Sequence, residues 1–207
     1  MRYRWEIMSQ IAEQRVIGIV RTATPAQAVE PVRDMLAAGL RTVEVALTTP
    51  DALTAIREIV AAAPADALIG AGTVLDAAAA GAAIEAGARF LVSPSLHADV
   101  IRTGHRHGVA VIPGVATPTE IVRGLELGAD ALKLFPASGW SPSWLKDVRA
   151  ALPQAPIVPT GGISVDSAPH WIAAGAVACG MGSALTSGGP LEASGRVARL
   201  LAAIQAC

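Results

Sequence analysis

The sequence predicts an α/β fold, a single-domain (β/α)8 TIM barrel over residues 1–207 with an N-terminal helix. Short apolar runs alternate with alanine-rich helical segments, which indicates a parallel sheet. Eight such runs in one domain favour closure into a barrel. The runs lie at about 16–20, 42–46, 67–71, 89–92, 109–112, 130–134, 156–159 and 177–180.

The helical segments between these runs share an ending, and several share a beginning. A glycine follows five of them, at the position where a left-handed residue closes a helix. These glycines are Gly39, Gly87, Gly108, Gly128 and Gly175. Four predicted helix starts pair a capping hydroxyl with an early proline, an arrangement that suits the first helical turn. The capping residues are Thr24, Thr49, Thr117 and Ser141.

A doubly wound open sheet is the structural alternative. Such sheets usually contain fewer strands, and their first strand-to-helix turn carries a glycine-rich dinucleotide fingerprint. Residues 20–26, where that turn is expected, contain no glycine. The barrel is therefore the favoured architecture.

Composition restricts the classes of partner. The 207 residues are 52% hydrophobic with a net charge of −1 and no basic cluster, so we expect one core and no binding to nucleic acid or membrane. No apolar stretch follows the charged residues 1–6, so we expect no secretory signal and a cytoplasmic location. The cysteines, Cys179 and Cys207, form neither a disulfide framework nor a metal-binding spacing.

One lysine occupies an unusual position. The chain has only two lysines against fourteen arginines, yet Lys133 falls within the apolar run 131–136. Burying an unpaired ammonium is costly, so a lysine in such a site tends to lose its proton. An unprotonated lysine is a nucleophile.

The alternation of side chains along a strand predicts the direction of this lysine. In the strand 42–46, Val43 and Val45 point to one side and Glu44 points to the other. In the strand 130–134, Lys133 likewise lies between Leu132 and Leu134 and points to the opposite side. Because alternate residues of a barrel strand face the helices and the interior, the apolar sets should pack on helices. We therefore expect Glu44 and Lys133 to enter the same interior.

Polar residues and glycines gather where the predicted strands end, which is the end that carries the active site in barrel enzymes. Two of these segments, 160–163 and 180–183, supply four glycines and two hydroxyls to neighbouring positions. Glycines let backbone N–H groups approach an anion, so this part of the chain predicts a phosphate site. A catalytic metal is not expected, because His105 and His107 do not share a helix face and no cluster of histidines and carboxylates is present.

The assembled motifs resemble those of the 2-keto-3-deoxy-6-phosphogluconate and -galactonate aldolases, a family of small class I aldolases. The resemblance covers nearly the whole chain. It rests on the segments 43–45, 70–75, 93–94, 112–114, 132–137 and 159–163.

The resemblance implies a Schiff base on Lys133, with Glu44 as general acid and base. It further implies pyruvate and glyceraldehyde 3-phosphate as products, no cofactor, and a homotrimer. The implied substrate-binding residues are Arg21, Thr73, Pro94 and Thr160, and the implied phosphate-binding residues are Gly161, Gly162, Gly182 and Ser183.

The residues that differ between the gluconate and galactonate types of the family bear on which substrate this chain uses. The gluconate type usually has an arginine after the glutamate strand, where this chain has Thr48. Arg21 and the segment 140–142 also resemble the galactonate type, and Arg21 could replace the missing arginine by bidentate contact. Thr160 instead resembles the gluconate type, so the sequence favours galactonate only narrowly.

Three alternatives remain open at this stage. One is a 4-hydroxy-2-oxoglutarate aldolase, which would use the same lysine and glutamate without a phosphate site. Another is a phosphate-binding isomerase or epimerase on the same fold, in which Lys133 makes only charge contacts. The last is a ligand-binding barrel without catalysis.

Overall fold

The computed structural model describes residues 3–187 and 190–205, in which strands and helices alternate. The strands are β1 (Val16–Val20), β2 (Thr42–Ala46), β3 (Leu68–Gly72), β4 (Phe90–Val92), β5 (Ala110–Ile112), β6 (Gly114–Val115), β7 (Leu132–Leu134), β8 (Ile157–Pro159) and β9 (Cys179–Met181). The helices are α1 (Arg4–Gln14), α2 (Ala26–Ala37), α3 (Ala52–Ala62), α4 (Ala77–Glu85), α5 (Ala98–Arg106), α6 (Pro118–Glu126), α7 (Pro142–Ala151), α8 (Ala168–Ala173), α9 (Ser183–Thr186) and α10 (Pro190–Gln205). Cys207 lies outside the described residues, as do the first two residues of the predicted 1–207 domain.

All described strand pairs are parallel, which confirms the α/β class and the parallel sheet. Six strands form a sheet curled as a half-barrel in the order β5-β4-β3-β2-β1-β9, and β6, β7 and β8 form a second sheet. A single bridge between Thr160 and Gly180 links the end of β8 to β9. The described hydrogen bonds therefore give two sheets where the sequence predicted one ladder of eight strands.

The fifth predicted run, 109–112, contains β5, and a further short strand, β6, follows Pro113 beyond that run. Proline has no N–H to donate to a ladder, so the strand is interrupted between Ile112 and Gly114. The residues before it pair with β4, and those after it pair with β7. The other seven predicted runs each overlap one strand, and β3 and β9 extend one residue beyond their runs.

Two buried apolar clusters lie on opposite faces of the strands. The larger cluster joins the helices to residues such as Val43, Val45 and Leu132. The smaller cluster contains the alternate strand residues of both sheets, which face the opposite way and include Phe90 and Val158. It also contains the α1 residues Ile7 and Ile11. The predicted N-terminal helix therefore exists, and it packs against the inner face of the strands near their starts.

The helix ends largely follow the sequence signals. All five glycines predicted to close helices have a positive φ, between 70° and 106°. Thr24, Thr117 and Ser141 each accept a hydrogen bond from a backbone N–H three residues on. The prediction that Thr49 caps α3 is wrong: Asp51 precedes that helix, and Thr49 Oγ1 instead accepts from the Thr22 backbone N–H at 3.2 Å. Among the described residues, no helix is long and apolar enough to cross a membrane.

Candidate active site

A cavity of about 460 Å³ opens at the carboxyl ends of β1, β2, β7, β8 and β9. Eight of the ten side chains or glycines predicted from the sequence line it. They are Arg21, Glu44, Lys133, Thr160, Gly161, Gly162, Gly182 and Ser183. Residues from both sheets therefore meet in one concave site, as expected for a parallel α/β fold.

Lys133 is held in the middle of β7. Its backbone N–H donates to the Pro113 carbonyl at 2.8 Å, and its flanking leucines are fully buried in the helix-facing cluster. The lysine itself is 5% exposed, and its Nζ lies 4.8 Å from the centre of the Phe135 ring. This distance permits a cation–π contact whenever the amine is protonated.

Glu44 enters the same cavity from β2. It is 3% exposed, and burial raises the pKa of its carboxyl above the ordinary value of 4.5. The charges of Lys133 and Arg21 act in the opposite direction and lower that pKa, but less strongly. None of the described ion pairs includes Glu44 or Lys133. The predicted shared interior for carboxylate and amine is confirmed.

Arg21 follows β1 and reaches the cavity beside Glu44. Its Nε donates a hydrogen bond to Thr48 Oγ1 at 3.1 Å, which joins the loop after β1 to the loop after β2. The bond from the Thr22 N–H to Thr49 Oγ1 links the same two loops. Two neighbouring contacts therefore join the loops after β1 and β2 and place Arg21 beside the cavity.

Thr160 and the two glycines after it form one wall of the cavity. Thr160 is buried, and its hydroxyl occupies the space that a side chain at Gly180 would need. Gly161 and Gly162 have φ values of 93° and 79°, which only glycine adopts readily. A Cβ on Gly162 would also lie 2.8 Å from the Ser138 Cβ. Both glycines line the cavity, so their backbone faces it without side chains of their own.

Thr73 and Pro94 are not among the residues lining the cavity. Both follow strand ends, β3 for Thr73 and β4 for Pro94, and both are half-buried. Thr73 has a φ of 61°, a rare conformation for a β-branched residue and one typical of functional constraint. The Pro94 backbone packs against Gly114, which has no room for a Cβ.

Comparison with known proteins identifies the chain. The sequence model for "Aldolase: KDPG and KHG aldolase" matches residues 7–201. The chain belongs to the KDPG and KHG aldolase family. It is therefore an aldolase, a carbon–carbon lyase.

Individual relatives agree with this assignment. The 2-dehydro-3-deoxy-6-phosphogalactonate aldolase of Escherichia coli is 39% identical over 175 residues, which cover 84% of this chain and 85% of that protein. The structure of the 2-keto-3-deoxy-6-phosphogluconate aldolase of Zymomonas mobilis with 3-phosphoglycerate has a TM-score of 0.87 at 32% identity, and the match covers 96% of each chain.

A further solved relative carries a reaction intermediate. It is the KDPG aldolase of Legionella pneumophila, with pyruvate captured at low pH as a covalent carbinolamine. Its TM-score is 0.79 at 29% identity, and the match covers 96% of each chain.

Several residues of the aldolase cavity were missed by the sequence analysis. Phe135, Ser164 and Ser187 line it beside the predicted set. A period-two alternation places Phe135 inward after Lys133, so this residue could have been found. Ser164 follows the loop with Gly161 and Gly162, and Ser187 follows α9, so strand alternation gives no direction for either serine. Among the described residues, no group of three or more His, Cys, Asp or Glu side chains could hold a metal ion.

Proposed function

We propose that this aldolase cleaves a 2-keto-3-deoxy-6-phospho-sugar acid to pyruvate and glyceraldehyde 3-phosphate through a Schiff base on Lys133. The observation that carries the proposal is a buried amine and a buried carboxylate lining one cavity of about 460 Å³. That volume falls within the range of small-molecule sites. The carbinolamine named for the Legionella pneumophila relative supports covalent chemistry with pyruvate in this family.

The proposed cycle begins with attack of the unprotonated Lys133 amine on the C2 ketone, and loss of water from the carbinolamine gives an iminium. Glu44, acting through a water molecule, takes the proton from the C4 hydroxyl. The C3–C4 bond then breaks, its electron pair moves to the iminium, and the aldehyde leaves. The resulting enamine takes a proton at C3, and hydrolysis frees pyruvate and the amine.

The proposed phosphate site consists of Gly161, Gly162, Gly182 and Ser183. Support comes from the two consecutive glycines with positive φ, whose backbone lines the cavity, and from Ser183, which lines the same cavity. Backbone N–H groups without neighbouring side chains are well suited to contact phosphate oxygens. The phosphorylated acid bound to the Zymomonas mobilis relative is consistent with such a site.

At the other end of the substrate, we propose that Arg21 contacts the carboxylate and that Thr73 and the Pro94 backbone lie near the pyruvyl group. The bond from Arg21 to Thr48 supports the first assignment, because it fixes the arginine beside the cavity in place of the arginine that the gluconate type usually carries. The positive φ of Thr73 supports its functional assignment.

The 6-phosphogalactonate epimer is the favoured substrate. Arg21, Thr48 and Trp140 agree with the galactonate type, and the Escherichia coli relative at 39% identity bears that name. Thr160 argues for 6-phosphogluconate, because a threonine before the two glycines resembles the gluconate type. The two epimers differ only at the C4 hydroxyl, so a few contacts decide between them.

The substrate test compares steady-state kcat/KM for the two phosphorylated epimers and for 4-hydroxy-2-oxoglutarate, with pyruvate release as the readout. We expect the galactonate epimer to be cleaved most efficiently and the phosphate-free acid least. Preference for 4-hydroxy-2-oxoglutarate would contradict the phosphate site. Turnover of a phosphosugar without carbon–carbon cleavage would instead indicate an isomerase or epimerase.

Two larger-scale assignments accompany this function. We propose that the two sheets close into one barrel, since the Val177 N–H donates to the Ile157 carbonyl and the Gly114 N–H donates to the Ser95 carbonyl at the two seams. We also propose a homotrimer with no cofactor, from the resemblance of the chain to its family.

A further inference from the structure

Gly72, the last residue of β3, lies against the Glu44 carboxylate. A Cβ built on Gly72 would be 2.5 Å from Glu44 Oε1 and 2.9 Å from its Cδ. Ordinary van der Waals contact begins at 3.4 Å, so the gap between 2.5 and 3.4 Å requires a shift of about 0.9 Å. The carboxylate therefore occupies the space where any other residue would place its Cβ.

The backbone of Gly72 does not itself require glycine. Seven described glycines have a positive φ, and Gly72 is not one of them. The three nearest atoms to its Cβ position all belong to Glu44. The glycine at this position is thus explained by the carboxylate and not by chain conformation.

Gly70, the preceding inward position of β3, offers a comparison. Its missing side chain leaves room for the Phe90 ring, which a Cβ would meet at 2.5 Å. Phe90 is fully buried in the inner cluster and cannot move without disturbing the core. Glu44 is different, because the atoms in conflict are the end of a flexible side chain that faces a cavity.

We propose that Gly72 is a positioning residue for the aldol reaction. Because Gly72 has no side chain, the Glu44 carboxylate has room to lie against β3, at the position from which it exchanges protons with substrate bound at Lys133. The proposal rests on the acid–base role proposed for Glu44. The register supports it, since Glu44 pairs with Gly70 and its side chain extends toward Gly72, one inward position further along β3.

The variant Gly72→Ala should separate Schiff-base formation at Lys133 from the proton transfers made by Glu44. A carboxylate displaced by about 0.9 Å should lower kcat by about 10- to 100-fold, because general acid–base catalysis depends on placement at this scale. KM should change little. Borohydride trapping of pyruvate on Lys133 should persist, while exchange of the pyruvate methyl protons in deuterium oxide should slow together with kcat.

The controls are two other glycines. Gly81→Ala, in α4 with no atom within 4 Å of its Cβ position, should match the wild type in kcat, borohydride trapping and proton exchange. Gly70→Ala should lower the thermal midpoint, whereas Gly72→Ala should retain it. Of the three variants, Gly72→Ala alone should shift the acid limb of the pH–rate profile, because only that substitution changes the environment of the Glu44 carboxylate.

A double-mutant cycle with Glu44→Ala completes the test. Without the carboxylate, Gly72→Ala should have no further effect on residual pyruvate exchange, which gives strong coupling between the two positions. The proposal is overturned if Gly72→Ala retains the wild-type kcat as Gly81→Ala does, if it lowers the thermal midpoint as Gly70→Ala does, or if its effect persists in the Glu44→Ala background. Failure of the underlying function is a separate result: the wild type would then show no trapping by borohydride and no exchange.

Discussion

Glu44 and Lys133 show how single residues acquire reactivity from their surroundings. Each sits on a strand whose other positions are apolar, and each is more than nine-tenths buried. Burial raises the Glu44 pKa, and a base with a raised pKa is stronger when it is ionised. The low dielectric of the inner face thus prepares the carboxylate for proton transfer beside the amine.

This environment predicts the pH dependence of turnover. Because the folded pKa of Glu44 is raised, its basic form is lost as the pH falls through a value above 4.5. The acid limb of the kcat profile should therefore have an apparent pKa above 4.5, and that limb should disappear in Glu44→Gln. Steady-state rates across the pH range measure this. An unchanged acid limb in the variant would remove Glu44 from the rate-determining proton transfer.

The hydrogen bond from Arg21 to Thr48 leads to a second prediction at the residue scale. Replacing Thr48 by valine removes the acceptor for Arg21 Nε and should raise KM by about 3- to 10-fold with a smaller change in kcat, the equivalent of one lost hydrogen bond. Thr54→Val is the matched control, because the Thr54 hydroxyl bonds only to Asp51 at the start of α3. Equal KM values for the two variants would contradict the role of Arg21 in binding.

At the scale of elements, α1 supports the end of the strands opposite the cavity. Its two isoleucines pack with Ile17, Leu68 and Phe90 on the inner face. Their burial fixes the helix to both sheets and leaves the strand ends with Glu44 and Lys133 open to substrate.

Truncating this contact should affect stability without affecting chemistry. Ile11 is fully buried, so Ile11→Ala should lower the free energy of unfolding by about 2–5 kcal/mol. Denaturant unfolding measures the loss, with the exposed Ser9→Ala as control. The folded fraction of Ile11→Ala should retain the wild-type kcat. A fall in kcat comparable to that of Glu44→Ala would mean that α1 acts on the active site.

The elements also show which features could be read from the sequence. Period-two alternation correctly predicted the direction of Glu44 and Lys133, because parity along one strand is a local property. The proximity of Gly72 to Glu44 was not predictable, since it depends on the lateral register of β2 against β3. The short strand β6 lies beyond the predicted run 109–112, because a proline without an N–H marks the end of a strand in the sequence, whereas the pairing of β6 with β7 depends on the tertiary structure.

At the scale of the whole molecule, the two sheets and their helices bring distant parts of the chain to one cavity. Residues from Ile19 to Ser187 line it, so no short segment of the sequence contains the site. Ordered motifs over nearly the whole chain predicted the family, which the match over residues 7–201 confirms. The family resemblance implied that Thr73 and Pro94 bind substrate, and neither residue is among those that line the cavity.

The proposed homotrimer is the prediction that belongs to this scale. Light scattering of the purified protein should give three times the 21.0 kDa chain mass, independent of concentration in the micromolar range. A mass equal to one chain would contradict the trimer and would leave the proposed chemistry intact, because Glu44 and Lys133 line one cavity within the same chain.

Borohydride reduction in the presence of pyruvate tests the central claim most directly. The chain offers a single internal control, since its only other lysine, Lys146, is exposed on α7. Peptide mapping by mass spectrometry should find the reduced pyruvyl adduct on Lys133, with parallel loss of activity, and no adduct in Lys133→Ala. An adduct on Lys146 instead, or no adduct on the wild type, would contradict the Schiff-base mechanism.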